Sequence, residues 1–381
     1  MQSIFTILLL LLSNTTAGYL TPNPPGKYNV TLTTGTLIDY TRHDLSTTPP
    51  TPRALMLSVF QPTTCPSTIP FPYMPTKTAT FQGAFLQAIF NVTTNLTPLF
   101  LSARLPVCPS HHHPHPRPPR TIDPPILLFS PGYSIPRLYY SVLASAIASQ
   151  GYTVLTIDHP GDANIITYPD GNAIYNNDTT QSLSSMVLQI PIRAADASFV
   201  IDQLRNASAI ASLLPHRGPR PFPTNRVAML GHSLGGAAAV IAASQDPRIR
   251  GVVNMDGTFI DLPPPSGVSQ PVLLTSHGMA DASWPAAWPL LKGPKLWVDI
   301  ANATHETFSD VPTLLEAAGE GAEGLEGVLG TIGAGEMRGI LVAYVTAWME
   351  GVFAGKEGGP LLDGKETGRF PEVVTVMKSG F

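Results

Sequence analysis

The stretch at residues 227–236 constrains the fold of this chain more than any other. Four apolar residues suited to a buried strand run directly into the pattern Gly-x-Ser-x-Gly, and a run of small residues then opens a helix. This arrangement is typical of a nucleophile elbow, where a serine lies on a sharp strand-to-helix turn with its hydroxyl beyond the sheet. The stretch therefore predicts Ser233 as a nucleophile. It also predicts that Gly231 and Gly235 lie where a side chain would clash with the neighbouring strand or helix.

Strands and helices alternate around this elbow, which indicates an α/β fold with a mostly parallel central sheet and helices on both faces. Apolar runs predict strands at 53–60, 125–129, 152–157, 227–230, 251–255, 272–275 and 295–300, the last being the expected final strand. Helical spacing of apolar residues predicts helices at 81–90, 137–150, 181–212, 237–244 and 336–353. In a chain of 381 residues, such a sheet with its helices uses most of the length, so residues 18–381 are expected to form one domain.

The N-terminus predicts export. A short apolar run at 4–12 precedes Thr15-Thr16-Ala17, which has the small-x-small form of a signal-peptidase site, so residues 1–17 are interpreted as a signal peptide. A buried N-terminal strand is the alternative. Export and a glycosylated surface are also favoured by six sequons, at Asn29, Asn91, Asn95, Asn177, Asn206 and Asn302. The expected location is extracellular.

The N-terminal part, residues 18–120, is rich in proline and threonine and contains both cysteines of the chain. In an oxidising compartment, one disulfide between Cys65 and Cys108 is the simplest hypothesis, and two free buried thiols are the alternative. The histidine tract at 111–115 is interrupted by proline and has no accompanying Cys, Asp or Glu. It is interpreted as a solvated loop in preference to a metal site, and no metal or organic cofactor is expected.

Composition excludes some partners. Charged residues make up 13% of the chain and the net charge is −4, so no basic surface suggests nucleic-acid binding. The C-terminal helix contains an apolar run at 339–345, but Glu336, Arg338 and Glu350 flank it. That helix is therefore expected to pack in the core, and no transmembrane segment is expected in the mature chain.

A serine nucleophile needs a general base, and the base needs an orienting carboxylate. Around an elbow of this kind both partners follow the serine, with the acid before the histidine. Only His277 and His305 lie downstream, and the position of His305 just after the last predicted strand favours it as the base. His232, inside the elbow, is interpreted as a packing residue.

Two carboxylates qualify as the acid. Asp256 ends the strand after the elbow, and Asp281 follows the next strand. Both positions lie at the carboxyl edge of the predicted sheet, where functional groups of open α/β sheets collect. The position of these residues in the chain does not decide between them.

The motifs together resemble the family of secreted, lipoprotein-associated platelet-activating factor acetylhydrolases, within the α/β-hydrolase superfamily. The resemblance runs from about residue 124 to 312 and is carried by Phe129-Ser130-Pro131-Gly132, Asp158-His159, Gly231-His232-Ser233-Leu234-Gly235-Gly236, Met255-Asp256 and His305-Glu306-Thr307-Phe308-Ser309-Asp310. It implies Asp256, not Asp281, as the acid. Pro131 departs from the family pattern, which has His before the glycine, and this leaves the fine substrate preference open.

The resemblance implies a serine esterase that removes a short acyl group, such as acetyl, from the sn-2 position of a phospholipid. Two backbone N–H groups, of Tyr133 and Leu234, are expected to bind the oxyanion, because Pro131 has no N–H to donate. The expected partners are a lipid or small ester and, peripherally, a lipid surface. A cutinase-like or general carboxylesterase is the enzymatic alternative, and an inactive surface glycoprotein is the non-enzymatic one.

Overall fold

The structure is a computed structural model, and it describes residues 18–44, 46–109, 123–176, 182–278, 281–355, 358–366 and 368–380. The predicted signal peptide, the histidine tract at 111–115 and the sequon at Asn177 lie outside these residues. All structural statements below concern the described part of the chain.

Strands and helices follow one another in the expected alternation. The strands are β1 (Tyr19–Leu20), β2 (Asn29–Asp44), β3 (Thr51–Thr63), β4 (Ile69–Pro72), β5 (Ala103–Val107), β6 (Ile126–Ser130), β7 (Thr153–Asp158), β8 (Ile165–Thr167), β9 (Ala173–Tyr175), β10 (Val227–His232), β11 (Ile249–Met255), β12 (Val272–Ser276), β13 (Lys295–Ile300) and β14 (Val373–Ser379). The helices are α1 (Thr76–Ile89), α2 (Thr97–Leu101), α3 (Ser141–Ala148), α4 (Leu183–Leu204), α5 (Ala207–Leu213), α6 (Leu234–Gln245), α7 (Ser283–Ala287), α8 (Val311–Ala318), α9 (Glu326–Leu329) and α10 (Ala334–Ala354). Short 3₁₀ turns occur at Arg137–Tyr140, Pro215–Arg217, Trp288–Leu290 and His305–Phe308.

A nine-stranded sheet forms the centre, in the order β14-β13-β12-β11-β10-β6-β7-β3-β2. The six strands from β13 to β7 are parallel, whereas β14 at one edge and β3 and β2 at the other are antiparallel. The expectation of a mostly parallel sheet is confirmed. Two small sheets, β1-β5-β4 and β8-β9, lie apart from it.

Helices cover both faces of the sheet, as the continuously apolar strands require. Alternate residues of β6 contribute to opposite cores: Leu127 and Phe129 pack with α3 and α10, and Ile126 and Leu128 pack with α4 and α6. All five residues of β6 are buried. The small residues after the elbow make α6 almost wholly buried, so it packs closely against the sheet.

The prediction that the strand at 295–300 is the last one is wrong. Strand β14 follows it and pairs antiparallel with β13 at the sheet edge. Six of the seven β14 residues are exposed, so the strand does not have the buried apolar pattern by which the other strands could be found.

Two predicted boundaries also differ. The helix expected at 181–212 is two helices, because the Asn206 side chain accepts hydrogen bonds from the amides of Ser208 and Ala209 and starts α5 as an N-cap. Strand β3 continues through Pro62, where a stop was expected. Its pairing with β7 ends at Phe60, so at Pro62 only β2 lies alongside and the missing N–H costs little.

A disulfide between Cys65 and Cys108, with Cα atoms 5.9 Å apart, joins the chain just after β3 of the main sheet to the chain just after β5 of the small sheet. The Cys108 amide also donates to the carbonyl of Val30 in β2. The five sequon asparagines that are described are exposed: Asn29, Asn91, Asn95, Asn206 and Asn302. Their glycosylation stays a prediction.

The C-terminal helical region, Glu326–Ala354, is long and apolar enough to cross a membrane by length and composition alone. In the structure α10 lies on the sheet, and its apolar side packs into the core. The buried residues are Met337, Ile340, Leu341, Val342, Tyr344, Val345, Trp348 and Met349. This packing accounts for the apolar run at 339–345 as part of a core helix.

Candidate active site

Ser233 lies on the tight turn between β10 and α6, with φ 55° and ψ −128°. This left-handed φ is uncommon for a residue with a side chain and stores strain in the turn. The turn depends on its glycines, because a Cβ on Gly231 would lie 2.2 Å from the backbone of Gly235, and one on Gly235 would lie 2.0 Å from the carbonyl oxygen of Ser130. The local geometry is therefore that of a nucleophile elbow.

The neighbouring strand brings Asp256 beside this serine. Strands β10 and β11 are parallel, and His232 pairs in register with Met255, so Ser233 and Asp256 each follow a paired residue. The Ser233 amide donates to the carbonyl of Met255 at 2.8 Å. Asp256 also has a left-handed φ, 54°. Both turns leave the same edge of the sheet.

His305 reaches Asp256 from the loop after β13. The loop ends in the 3₁₀ turn His305–Phe308, which is held by reciprocal hydrogen bonds between Thr304 and Thr307. His305 Nδ1 lies 2.5 Å from Asp256 Oδ2. The His305 and His232 ring centroids are 4.6 Å apart, which places the imidazole against the elbow.

The protonation of this pair follows from its contacts. Burial alone would raise the pKa of Asp256, but hydrogen bonds from His277 and His305 outweigh burial and hold it below its ordinary value. Burial alone would lower the pKa of His305, but the hydrogen bond and charge of Asp256 raise it above its ordinary value. Asp256 is therefore an anion that holds His305 and stabilises its charged form.

The structure places His277, the less favoured base, on the same carboxylate. His277 Nδ1 lies 2.7 Å from each oxygen of Asp256. Its ring meets that of His305 edge-on, with centroids 6.4 Å apart. Their positions in the chain make the two histidines alternatives for the base, but in the fold both contact Asp256.

Asp281, the alternative acid, is used elsewhere. Its carboxylate accepts a hydrogen bond from the amide of Ser283 at 2.8 Å, and its carbonyl accepts one from the amide of Trp284, so it holds the turn that leads into α7. Within the described residues, no hydrogen bond joins it to His277 or His305. It lines a cavity of about 310 Å³ that also has Asp256, His277 and His305 in its wall.

His232 has a more specific role than packing. Its Nε2 lies 3.0 Å from the carbonyl of His305 and its Nδ1 lies 2.8 Å from Tyr140 Oη. A carbonyl only accepts, so Nε2 carries the hydrogen and Nδ1 accepts from Tyr140. Burial lowers the pKa of His232 to about 3, so the ring is neutral. Tyr140 Oη in turn accepts the amide of Gly132 at 3.1 Å.

His232, Asp256 and His305 also have potential metal-ligand atoms within 4.8 Å of one another. Both ring nitrogens of His232 and the Nδ1 of His305 are already engaged in the hydrogen bonds described above. Three of the four imidazole nitrogens of the two histidines thus already have partners, and the set forms a hydrogen-bonded chain.

The last motif of the resemblance, His305 to Asp310, anchors the loop of His305. Phe308 stacks on His232, with an interplanar angle of 11° and centroids 5.8 Å apart. Asp310 is buried and accepts hydrogen bonds from Tyr73 Oη and from the amides of Val142 and Leu143 at the start of α3. The loop is thus fixed at both ends.

The expected oxyanion loop, at 130–133, lies beside the nucleophile. A Cβ on Gly132 would lie 3.6 Å from the Cβ of Ser233. The buried Arg193 holds this loop: Nη1 donates to the carbonyl of Pro131 at 2.5 Å, and Nη2 donates to that of Gly132 at 3.1 Å. In a planar trans peptide the N–H points away from the C=O. The Tyr133 amide therefore points away from Arg193.

Leu234, the other expected donor, is the first residue of α6. The amides of the first helical turn have no partner within their helix, and they lie at the positive end of the helix dipole. The two amides expected to bind an oxyanion are thus supplied by separate segments on either side of Ser233.

Behind this loop lies a buried charged network that the sequence analysis did not find. Arg193 forms a two-point ion pair with Asp162, and Ser130 Oγ contacts His159 Nε2, whose Nδ1 meets Asp196. Arg53 closes the network on Asp196. A signal was available, because charged residues on otherwise apolar helix faces are rarely buried without partners. Their partners, however, are distant in sequence.

A family model described as "Alpha/beta hydrolase family" matches residues 127–356. The chain belongs to the alpha/beta hydrolase family. This hydrolase is 31% identical, over 97% of its own length and 98% of the relative's, to a protein of Arthroderma benhamiae named "Probable 1-alkyl-2-acetylglycerophosphocholine esterase".

Among solved structures, the hydrolase is similar to a ferulic acid esterase from Streptomyces cinnamoneus. The two share 27% sequence identity with a TM-score of 0.76, over 95% of this chain and 100% of that one. The predictions of an alpha/beta hydrolase fold, of a resemblance to acetylhydrolases of this type and of a carboxylic ester hydrolase are confirmed.

Proposed function

We propose that this hydrolase is a secreted serine esterase that cleaves short sn-2 acyl esters of phospholipids with Ser233, His305 and Asp256. The observation that carries the proposal is the 2.5 Å contact between His305 Nδ1 and Asp256 Oδ2 beside the elbow of Ser233. The name of the Arthroderma benhamiae relative supports the substrate class.

Each residue has one task in the proposed reaction. Asp256 fixes the hydrogen on Nδ1 of His305, which leaves Nε2 as the base. His305 takes the proton of Ser233 as the serine oxygen attacks the ester carbonyl, and it then gives that proton to the leaving alcohol. Water enters as the second nucleophile, and the same proton transfers run again to release the acid.

The amides of Tyr133 and Leu234 bind the oxyanion in this scheme. Arg193 and Tyr140 hold the loop of Tyr133, and α6 supplies Leu234. Donors fixed in advance stabilise the developing charge without reorganising. Loss of one such donor typically lowers turnover by roughly a hundredfold or more.

The proposed location is extracellular. It rests on the predicted signal peptide, on the disulfide and on the exposure of the described sequon asparagines. Expression in a eukaryotic secretory host would test it, by N-terminal sequencing of the medium fraction and by a mobility shift after deglycosylation. An N-terminus before residue 18 on the secreted protein would contradict the cleavage site.

A second substrate class is supported by the structural similarity to a ferulic acid esterase. The cavity beside Asp256 has two tryptophans in its wall, Trp284 and Trp297, which suits a flat aromatic group. The alternative is therefore a carboxylesterase acting on aromatic or polyester substrates.

A turnover panel separates these functions. The wild type and Ser233→Ala are assayed on p-nitrophenyl acetate, on phosphatidylcholines with sn-2 acetyl, butyryl and palmitoyl groups, on methyl ferulate and on a soluble polyester fragment. We expect kcat/KM to be highest on the acetyl phospholipid and to vanish in the variant. A preference for methyl ferulate or the polyester would favour the second class, and undiminished hydrolysis by Ser233→Ala would refute the mechanism.

A further inference from the structure

Asp256 accepts hydrogen bonds from two imidazoles, although a serine esterase needs only one. His277 contacts the carboxylate beside His305, and the two ring centroids are 6.4 Å apart. Its Nδ1 is 2.7 Å from both carboxylate oxygens and its amide is 3.2 Å from Oδ1. The carboxylate, the backbone turn and both rings thus form one unit.

The tautomers in this unit follow from its chemistry. An ionised carboxylate only accepts, so the Nδ1 atoms of His277 and His305 must both carry hydrogen. On His305 this directs Nε2 to the proposed proton transfer. On His277, whose side chain is 17% exposed, Nε2 is left for the cavity that the ring lines.

We propose that His277 is a positioning residue for the hydrolysis: it fixes the Asp256 carboxylate and limits how strongly that carboxylate holds the proton of His305. The inference rests on the proposed function. In this role His277 is not an alternative to His305 as the base, because His277 acts on the acid and not on the serine.

The physical reason is competition for one anion. A carboxylate that already accepts from His277 is a weaker acceptor for His305, so charged His305 is stabilised less than it would be by an unshared carboxylate. A base held too firmly in its charged form would be unavailable at neutral pH. Within the described residues, the other titratable groups facing this unit are Glu306 next to His305, Asp299 on β13, Asp281 in the wall of the shared cavity and His232 at the elbow.

Two substitutions separate positioning from mere packing. His277→Phe keeps an aromatic ring but removes the donor, and His277→Asn keeps a donor near the position of Nδ1. We expect His277→Phe to lower kcat on p-nitrophenyl acetate about tenfold with KM nearly unchanged, the effect of losing roughly one hydrogen bond. We expect the acid limb of its kcat/KM profile to move up by roughly half to one pH unit. His277→Asn should restore most of both.

A measurement without turnover tests the inference separately from the proposed function. In protein labelled with ¹⁵N-histidine, the titration of His305 is followed by NMR in the wild type and both variants. The inference requires the midpoint of His305 to rise in His277→Phe and to return toward the wild-type value in His277→Asn.

The outcomes are distinguishable. A midpoint that stays the same or falls in folded His277→Phe overturns the role of His277, whatever the activity. A midpoint that rises while Ser233→Ala still hydrolyses esters supports the role of His277 and refutes the proposed function. If His277→Phe does not fold, His277→Leu and His277→Asn give the same comparison, and equal midpoints in those two variants would also overturn it.

Discussion

His232 Nε2 donates a hydrogen bond to the main-chain carbonyl of His305 at 3.0 Å. This bond joins the residue before the proposed nucleophile to the backbone of the proposed base. Because Nδ1 of the same ring accepts from Tyr140, which holds Gly132, the chain extends to the oxyanion loop. One neutral imidazole therefore sets the spacing of three segments that are far apart in sequence.

Removing the Nε2 donor of His232 should leave the backbone of His305 less firmly held. We expect His232→Phe to lower kcat/KM on p-nitrophenyl acetate about tenfold, as the loss of one hydrogen bond would. His232→Gln, whose amide nitrogen reaches near the position of Nε2, should recover part of it. The pKa of about 3 keeps His232 neutral across an assay from pH 5 to 9, so the profile should keep its shape. Full activity in His232→Phe would contradict this role.

The two candidate acids, Asp256 and Asp281, can be compared directly by substitution. Asp256→Asn should reduce kcat by roughly three to four orders of magnitude, because the amide favours the wrong tautomer of His305. Asp281→Asn should change it less than about threefold, since Asp281 accepts only at the start of α7. Steady-state kinetics of both variants on one ester decide the matter. A loss of kcat of that size in Asp281→Asn instead would identify Asp281 as the acid.

Arg193 should affect the transition state more than substrate binding. Arg193→Met frees the carbonyls of Pro131 and Gly132, so the Tyr133 amide loses its fixed direction. We expect kcat to fall by roughly ten- to a hundredfold with little change in KM. Affinity for a trifluoromethyl ketone inhibitor, which mimics the oxyanion, should fall in parallel.

A control guards against simple unfolding. Arg193→Met leaves Asp162 as an unpaired buried charge, which typically costs about 3–5 kcal/mol. The double variant Arg193→Met/Asp162→Asn removes both charges and should regain much of that stability in urea titrations. If it also regains turnover, the effect of Arg193 is on folding alone.

Asp310 predicts a pH dependence of stability. Burial raises its pKa to about 7 although three hydrogen-bond donors oppose the shift. The pKa of an aspartate in the unfolded chain is about 4, so between about pH 4 and 7 the folded state binds the proton of Asp310 more tightly. The contribution of Asp310 is therefore complete below about pH 4 and is lost as the pH rises through about 7.

Asp310→Asn should remove that slope, because the amide does not titrate in this range. The free energy of unfolding is measured in urea at pH 4.5, 5.5, 6.5 and 7.5 for both proteins. The wild type should lose stability relative to the variant across this range. A constant difference would show that Asp310 does not carry the dependence.

Local sequence patterns predicted most of the fold because its central strands are short, apolar and buried on both faces. Position 206 shows where such patterns fail: helical spacing continues across it, and only the capping oxygen of Asn206 breaks the helix. Strand β14 was missed because an exposed edge strand needs no apolar pattern.

Within the candidate site, chain order predicts only some of the positions that the structure shows. The elbow fixes Ser233, and the position of His305 after β13 brings it to the same edge of the sheet. Chain order could not decide between Asp256 and Asp281, nor assign His277 beside Asp256, because these depend on side-chain direction at adjacent strand ends. The partners of Arg193 could not be predicted, because they are brought to it only by the folded sheet.

Strand β14 connects the edge of the sheet to the loop of the proposed base. It covers the edge of β13, and just beyond the end of β13 the amide of Ala301 donates to the carbonyl of Glu372, next to the start of β14. The loop that holds His305 begins at this point, so part of its support comes from an exposed edge strand. Ser233 and Asp256 follow strands inside the sheet. A change at this edge would therefore disturb the base without directly touching the nucleophile or the acid.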